Sequence, residues 1–348
     1  MTPSEIESAA TPGLERVVCN LCGADDQAPV YRMPDTHYTR DRWFTVVECK
    51  RCGLGFVNPR PTQAAMDAFY PDDFFAGFER DDRQHQRRYA RQARFLADIQ
   101  LPEGRRPRLL DVGCANGNFP RFMRARGWDV VGVEPASNAR PIDDFEVHRR
   151  PFTEIEDFSG GFDAVTAWAV LEHVHDPMAY FRKAAEVLNP DGLFVFLVTN
   201  FSSVSSRYLF REDVPRHLYF YAGAAVKRYL DAVDMRLVAI HSDDSIFEMR
   251  PVGWLKHFAR RAFGRPPMRF EDVPETRIEY FRRMNLRGGA KDNLRFVMAN
   301  PLSSLDRLLV PIYERWQIWR QTYGIATYVA RKRPRDGRSG VPNEAPAR

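Results

Sequence analysis

Four of the five cysteines fall into two Cys-x-x-Cys pairs, Cys19/Cys22 and Cys49/Cys52, with 26 residues between them. A glycine, Gly23 or Gly53, follows each pair, where a metal knuckle must turn sharply. Four thiolates at this spacing suit a tetrahedral Zn²⁺ ion with sulfurs at about 2.3 Å. Disulfides are the competing use. Met1 to Arg16 is polar and lacks the apolar stretch of an export signal, so the expected location is cytoplasmic, where thiols stay reduced. A closed four-thiolate site offers no position to a substrate, so its expected role is to staple a small ribbon that lacks its own core. A nucleic-acid ribbon is the alternative. Sparse basic residues around the first knuckle, and Asp25 and Asp26 behind it, speak against that.

A second stretch has chemical potential. Leu109-Leu110-Asp111-Val112-Gly113-Cys114-Ala115-Asn116-Gly117-Asn118-Phe119 reads as a buried strand, a glycine-rich turn and a helix start, with Asn118 as cap and the helix running to about Arg126. Such turns present backbone N–H groups to nucleotide-like ligands. The spacing Gly-x-Ala-x-Gly differs from the dinucleotide fingerprint, so alone it is also compatible with a plain tight turn. Glu134, 17 residues past Gly117, falls near the offset at which an acidic residue reaches a ribose diol. Asp111, a charge inside a strand, is suited to orienting the turn or meeting a cationic ligand. Asp163 reads as structural.

The elements that must position these residues follow from alternation. Expected strands are Leu109–Cys114, Trp128–Glu134, Phe145–Arg149, Phe162–Trp168, Leu193–Thr199 and Arg236–His241. Helices are expected over Phe119–Arg126, Glu172–Leu188 and Ala222–Ala232. This predicts an α/β fold with a mostly parallel, doubly wound sheet. Ahead of it, Val30–Met33 and Phe44–Glu48 read as strands of the ribbon, Gln63–Tyr70 as a short helix, Asp72–Gly77 as an aromatic-rich loop and Glu79–Ile99 as a charged helix. The expected divisions are 1–16 disordered, 17–62 ribbon, 63–107 helical linker, 108–249 core, 250–322 helical insert, 323–333 last core strand and 334–348 disordered tail.

The chain of 348 residues is 44% hydrophobic, enough for a sizeable core. No apolar run approaches the roughly 20 residues of a membrane span. Net charge is +5, but residues 250–348 hold 21 Lys and Arg against 9 Asp and Glu, which leaves the rest of the chain at −7. A basic last third suggests an anionic partner or, more plainly, a solvated face.

The order Leu-Asp-Val-Gly-Cys-Ala-Asn-Gly, Val-Gly-Val-Glu-Pro, Phe-Asp-Ala-Val, Leu-Glu-His-Val-His-Asp-Pro and Leu-Asn-Pro-Asp-Gly-Leu resembles class I S-adenosylmethionine-dependent methyltransferases over about Arg108 to His241. The resemblance implies a Rossmann-like methyltransferase sheet. It implies that Asp111, Gly113, Ala115 and Gly117 surround the methionine part of the cofactor, and that Glu134 holds the ribose. Phe152 and Thr153 would flank adenine; Trp168 and Ala169 would form the floor. Ala115 stands where the family often has a second glycine. Cys114 is better read as a packed residue than as a nucleophile. The two knuckles followed by Gly-Leu-Gly-Phe-Val-Asn-Pro-Arg-Pro resemble zinc-ribbon methyltransferases, several of which act on nucleotide-linked deoxysugars.

Methyl transfer is an in-line displacement that needs alignment, exclusion of water and, for a hydroxyl or acidic carbon, a general base. Candidates are Glu172, His173, His175, His217 and Tyr219. Glu172 and His173 read as helix capping and packing; a similar pair in quinone-type O-methyltransferases contributes to a metal site. His217, in the loop after the fifth strand, is the favoured base, as the resemblance to sugar methyltransferases also implies, with Tyr219 and Tyr208 orienting the acceptor. The expected acceptor is small and anionic, such as a nucleotide sugar or glycan precursor. An RNA methyltransferase and a cofactor-binding accessory protein are the other classes considered. The Asn/Asp-Pro-Pro-Tyr motif of amino-methylating nucleic-acid enzymes is missing.

About 80 residues separate Arg236–His241 from a final strand at Gly324–Ala330, too many for a structureless loop. Trp254, Leu255, Phe258 and Ala262 keep helical spacing, as do Leu305, Leu308, Leu309, Ile312, Trp316 and Trp319, with Pro311 expected to kink or restart the second helix and Gly288-Gly289 to act as a hinge. The expectation is a basic helical lid over the acceptor. Alternatives are a peripheral membrane patch, since Trp and Phe interleave with Arg, or apolar faces packed on the sheet.

Overall fold

The computed structural model describes residues 13–35, 42–70, 83–99, 104–158, 161–208, 212–243, 246–247, 254–266 and 301–333. The expected disorder at 1–16 does not hold at its end, where Leu14–Glu15 forms a strand paired with Arg60–Pro61; residues 1–12, the expected tail at 334–348, the loop at 72–77 and the hinge at 288–289 lie outside the described residues.

The elements in chain order are β1 (Leu14–Glu15), β2 (Gln27–Pro34), β3 (Trp43–Cys49), β4 (Gly55–Val57), β5 (Arg60–Pro61), a 3₁₀ segment (Gln63–Phe69), α1 (Arg83–Arg94), β6 (Arg108–Val112), α2 (Asn118–Arg124), β7 (Asp129–Val133) and β8 (Glu146–His148). A second 3₁₀ turn (Phe152–Glu154) leads to β9 (Phe162–Trp168), α3 (Pro177–Val187), β10 (Leu188–Thr199), α4 (Val204–Tyr208), β11 (Tyr219–Phe220), α5 (Gly223–Ala232), β12 (Met235–His241), α6 (Trp254–Ala262), α7 (Pro301–Arg320) and β13 (Ile325–Lys332).

The main sheet has seven strands in the order β12-β13-β10-β9-β6-β7-β8. β6 pairs in parallel with both β7 and β9, so the strand order reverses at β6, beside the glycine turn. β13 alone runs antiparallel, wedged between β10 and β12. The strands are apolar on both faces because helices cover both: every residue of β10 from Leu193 to Thr199 is buried. The doubly wound α/β expectation holds.

Helix boundaries were less legible. α3 begins at Pro177, not Glu172, because Asp176 accepts the Ala179 N–H at 3.1 Å and Pro177 takes the first turn. Residues 171–175 are left to shape a turn at the strand ends. Asn118 does not cap α2; the cap position is Gly117, in left-handed conformation. α7 runs through Pro311 without a break. Pro311 is exposed, so the carbonyl that loses its donor lies on the wet side of the helix.

The ribbon forms a four-stranded sheet in the order β11-β4-β3-β2. Its β11 comes from the loop after β10, about 160 residues away in sequence. One hydrophobic core therefore contains Phe44, Val46, Phe56 and Met66 of the ribbon together with Val198, Phe220, Tyr221 and Tyr229. Gly55 permits the closest approach, since a Cβ there would lie 2.6 Å from the Phe201 ring.

Candidate active site

At the carboxyl ends of β6 and β7 the chain builds a cradle from backbone. Gly113, Ala115 and Gly117 all have positive φ, at 71°, 48° and 76°. The left-handed Ala115 costs some strain, which non-glycine residues pay only where neighbours hold them. The holder is Glu134: its carboxylate accepts the Ala115 N–H at 2.9 Å and the Ala136 N–H at 3.0 Å. The turn is also tied down from Gly113 N and Cys114 N, which donate to Val133 O at 2.8 and 3.0 Å. Glycine at 113 is needed twice over, because a Cβ would lie 2.5 Å from Val170. Cys114 packs under the turn, and a Cβ on Gly132 would reach its Sγ at 2.7 Å, which fits a packing role.

Asp111 is buried in β6 and accepts the Thr166 hydroxyl at 2.6 Å from the paired position of β9. Burial first, and then the Glu134 charge, push it up to about 7, against the Thr166 hydrogen bond. Glu134 is likewise raised by burial, opposed by its two backbone N–H donors. Arg149 also lowers Glu134 through its charge, while burial is the largest effect on both carboxylates, an environment that suits a positively charged ligand. Trp168 ends β9, stacks edge-on against Phe119 at 5.5 Å, and has a buried Nε1 with no partner among the described residues. Ala169 follows with φ 57°. The polar cradle, the paired carboxylates and the orphaned indole N–H fit a cationic adenosyl ligand such as S-adenosylmethionine. One expected contact is displaced: the Phe152 ring is turned into the core against Phe158 and Tyr180, at 6.1 and 5.6 Å, leaving half-buried Thr153 at the surface of the 3₁₀ turn.

The loop after β10 brings a second cluster to the same end of the sheet. Leu218 N and Tyr219 N both donate to Glu172 O, at 2.6 and 3.2 Å, which seats His217 over the turn that follows β9. The His217 ring meets His173 edge-on at 4.7 Å, and its Nδ1 is 2.9 Å from the buried Glu212 carboxylate. Burial lowers the His217 pKa, but the bond to Glu212 and its charge prevail and raise it to about 9. Burial and the His217 charge hold His173 down at about 3, so it is neutral; burial raises Glu172 to about 7. Glu172 Oε2 is buried without a partner among the described residues. Donor atoms of Glu172, His173 and His217 lie within 4.8 Å of one another, close enough for a cation. His173 Nδ1 is already engaged by the Tyr70 hydroxyl and Arg216 O, both at 3.1 Å. Tyr70, raised by burial and by the charges of Asp213, Glu172 and Glu134, lies within electrostatic reach of both clusters.

Two expected partners of His217 are elsewhere. Tyr219 is buried, with its hydroxyl 2.8 Å from Arg60 Nη1 and 3.2 Å from His175 O, so it braces the ribbon rather than facing the cluster. Tyr208 packs its ring on His257 of α6, at 4.7 Å. For Tyr219 the reason is β11, whose pairing with β4 fixes which way the side chain turns; Tyr208 ends α4, which carries its ring to α6. His175 gives its Nε2 to Pro61 O at 3.0 Å and belongs to the same brace.

The ribbon holds its four thiols together, Cys19 and Cys52 at 3.4 Å and Cys22 and Cys49 at 3.6 Å, none of them in a disulfide. The two knuckles repeat one geometry: Gly23 N donates to Cys19 O and Gly53 N to Cys49 O, each at 2.8 Å. This donor set fits a tetrahedral zinc ion. Asn20, inside the first knuckle, accepts from Met178 N at 3.0 Å and the Tyr229 hydroxyl at 2.9 Å, and donates to Asp176 at 2.9 Å.

Sequence reasoning missed the residues that hold these parts together. Arg60 is buried and bridges Glu15, His175 O and Tyr219. Arg216 is buried completely and joins Asp213 to Asp35 and to Phe69 O. Thr166 and Glu212 complete the two clusters. Glu212 had a local signal, an acid five residues before a loop histidine. Asp35 and Arg216 are 181 residues apart and had none.

Residues 82–240 match the family described as a methyltransferase domain. The ubiquinone biosynthesis O-methyltransferase of Cereibacter sphaeroides is 35% identical over 102 residues, 27% of this chain and 41% of that protein. The enzyme of the same name from Azorhizobium caulinodans is also 35% identical over 102 residues, 27% of this chain and 40% of that one. The chain thus spans about two fifths of the length of these curated relatives. A solved S-adenosylmethionine-dependent methyltransferase from Archaeoglobus fulgidus has 16% identity, covers 70% of this chain and 92% of its own, and has a TM-score of 0.42.

Proposed function

We propose that residues 82–240, a methyltransferase domain, carry a methyl transfer from S-adenosylmethionine to a small-molecule acceptor. The observation that supports this most is the left-handed turn from Gly113 to Gly117, locked by Glu134 and backed by the buried carboxylate of Asp111. The bound sulfonium supplies the methyl group. Gly113 and Gly117 let the backbone of the turn approach the ligand closely, Asp111 offsets positive charge, and Glu134 has oxygen lone pairs left for ribose hydroxyls.

The acceptor in our reading is a hydroxyl of a small anionic metabolite, a nucleotide sugar or glycan precursor. The relatives quoted above are named as O-methyltransferases, which supports oxygen as the acceptor atom. His217 is the proton acceptor, and Glu212 both orients the ring through Nδ1 and stabilises the imidazolium that forms. Calorimetric titration with S-adenosylmethionine tests the first part: binding by the native chain and at least tenfold weaker binding by Glu134→Ala are expected, and equal binding by both refutes it. His217→Ala tests the second. It should keep cofactor affinity and lose on the order of 10²-fold or more in turnover; full turnover refutes the base.

A further inference from the structure

α7 turns an apolar face to solvent. Leu308, Ile312 and Trp319 are 76%, 63% and 74% exposed, and Leu305 and Trp316 are exposed beside them. At about 100° per residue these five fall within roughly a quarter of the helix circumference. The opposite face is the buried one: Val310 and Gln317 lie against the protein. Trp254 of α6 is buried, stacks on Tyr313 at 5.4 Å and meets Trp316 edge-on at 5.8 Å, so α7 is seated on its partner helix along one border of the stripe, and Leu305, Leu308, Ile312 and Trp319 stay exposed beyond it. A contiguous exposed stripe of Leu, Ile and Trp on a seated helix is unusual for a surface that meets only water.

The rim of this stripe is cationic. Arg315 and Arg320 are exposed on α7, Arg320 lies over the Trp319 ring at 5.6 Å, and Arg260, Arg261 and Arg265 line or follow the exposed side of α6. Phe258 of α6 is exposed next to Tyr313, which extends the apolar area towards those arginines. Residues 250–348 carry a surplus of 12 positive charges while the rest of the chain is negative. Two copies of such a face would repel each other, which disfavours self-association through it. No helix among the described residues is long and apolar enough to cross a membrane.

We propose that the α6–α7 face docks on an anionic lipid surface, with α7 lying in the plane of the interface. Leu308, Ile312 and Trp319 enter the headgroup–acyl boundary while the arginines meet lipid phosphates. The idea does not depend on the reading of the active site. Its test is sedimentation of the full chain with large vesicles of phosphatidylcholine, with and without phosphatidylglycerol, alongside light scattering without lipid. The native chain is expected to bind the anionic vesicles, to lose binding as salt rises, and to show a blue shift in tryptophan emission. Leu308→Ser with Trp319→Ser should weaken binding on the order of tenfold or more while leaving the melting temperature and cofactor affinity unchanged. Arg315→Glu with Arg320→Glu should act mainly at low salt. No binding to anionic vesicles at low salt, or binding that these variants do not alter, overturns the proposal. So does a dimer in solution that the Leu308/Trp319 variant dissociates, since a second copy then covers the face.

Discussion

Replacing Tyr219 by Phe removes one oxygen from the residue that reads in sequence as an acceptor-orienting group. In the structure that oxygen receives the Arg60 Nη1 hydrogen bond at 2.8 Å and donates to His175 O at 3.2 Å. A hydrogen bond to a charged donor contributes about 1.5–3 kcal/mol. Arg60 Nη1 keeps its bond to His175 O at 2.9 Å in the variant, and that carbonyl keeps Arg60, so neither group is orphaned. The net loss should therefore fall near the low end, about 1–2 kcal/mol. At roughly 2 °C per kcal/mol for a chain of this size, the melting temperature should drop by a few degrees. Turnover, measured as formation of demethylated cofactor under saturating substrates, should stay within about twofold, because the hydroxyl faces away from the His217 cluster. A fall in turnover on the order of a hundredfold with an unchanged melting temperature would refute the structural assignment and return Tyr219 to the chemistry.

Other outcomes follow from the same geometry. Asp111, held up to about 7 in the free protein by burial and the Glu134 charge, is neutral below that pH and attracts no cation. Cofactor affinity should rise with pH through about 7, with proton uptake absent and proton release observed in calorimetry across buffers; a flat profile from pH 5.5 to 8.5 contradicts the role given to Asp111. His217 must be unprotonated to accept a proton, and its pKa is raised to about 9, so the rate of methyl transfer should still be climbing between pH 7 and 9. A rate independent of pH there rules it out as base. Chelation of the ion from the Cys19/Cys22/Cys49/Cys52 site should unseat the β4–β11 pair and abolish turnover, yet leave cofactor affinity within severalfold, since the glycine turn is held by Val133 O and the Glu134 carboxylate of the main sheet; equal loss of both would show that the ribbon holds up the whole fold. Gly55→Ala should act in the same direction by about 1–3 kcal/mol of stability, because its Cβ collides with the Phe201 ring at 2.6 Å, and an unchanged melt would mean that the ring yields.

Several features were determined by sequence alone because local chemistry carries them. Alternation of apolar runs and helical spacing sets a parallel sheet wherever it occurs, and the two Cys-x-x-Cys knuckles close on themselves through bonds within five residues. The positions of Asp111, Gly113 and Glu134 also belong to short segments whose conformation the turn dictates. Helix starts were less legible, since one Asp-Pro pair at 176–177 moved the start of α3 by five residues and freed Glu172 and His173 to form a turn. What only tertiary structure decided is where the loop after β10 points. Two residues of β11 pair with a ribbon strand some 160 residues earlier, and that pairing turns Tyr219 inward to Arg60 while seating His217 between Glu212 and His173. β11 itself covers only Tyr219 and Phe220; the bonds from Leu218 N and Tyr219 N to Glu172 O hold the residue before them at the cluster, and no local pattern records either partner. The apolar stripe of α7 divides in the same way. Its spacing is written in the sequence, but its exposure depends on which face Trp254 and Tyr313 claim for packing.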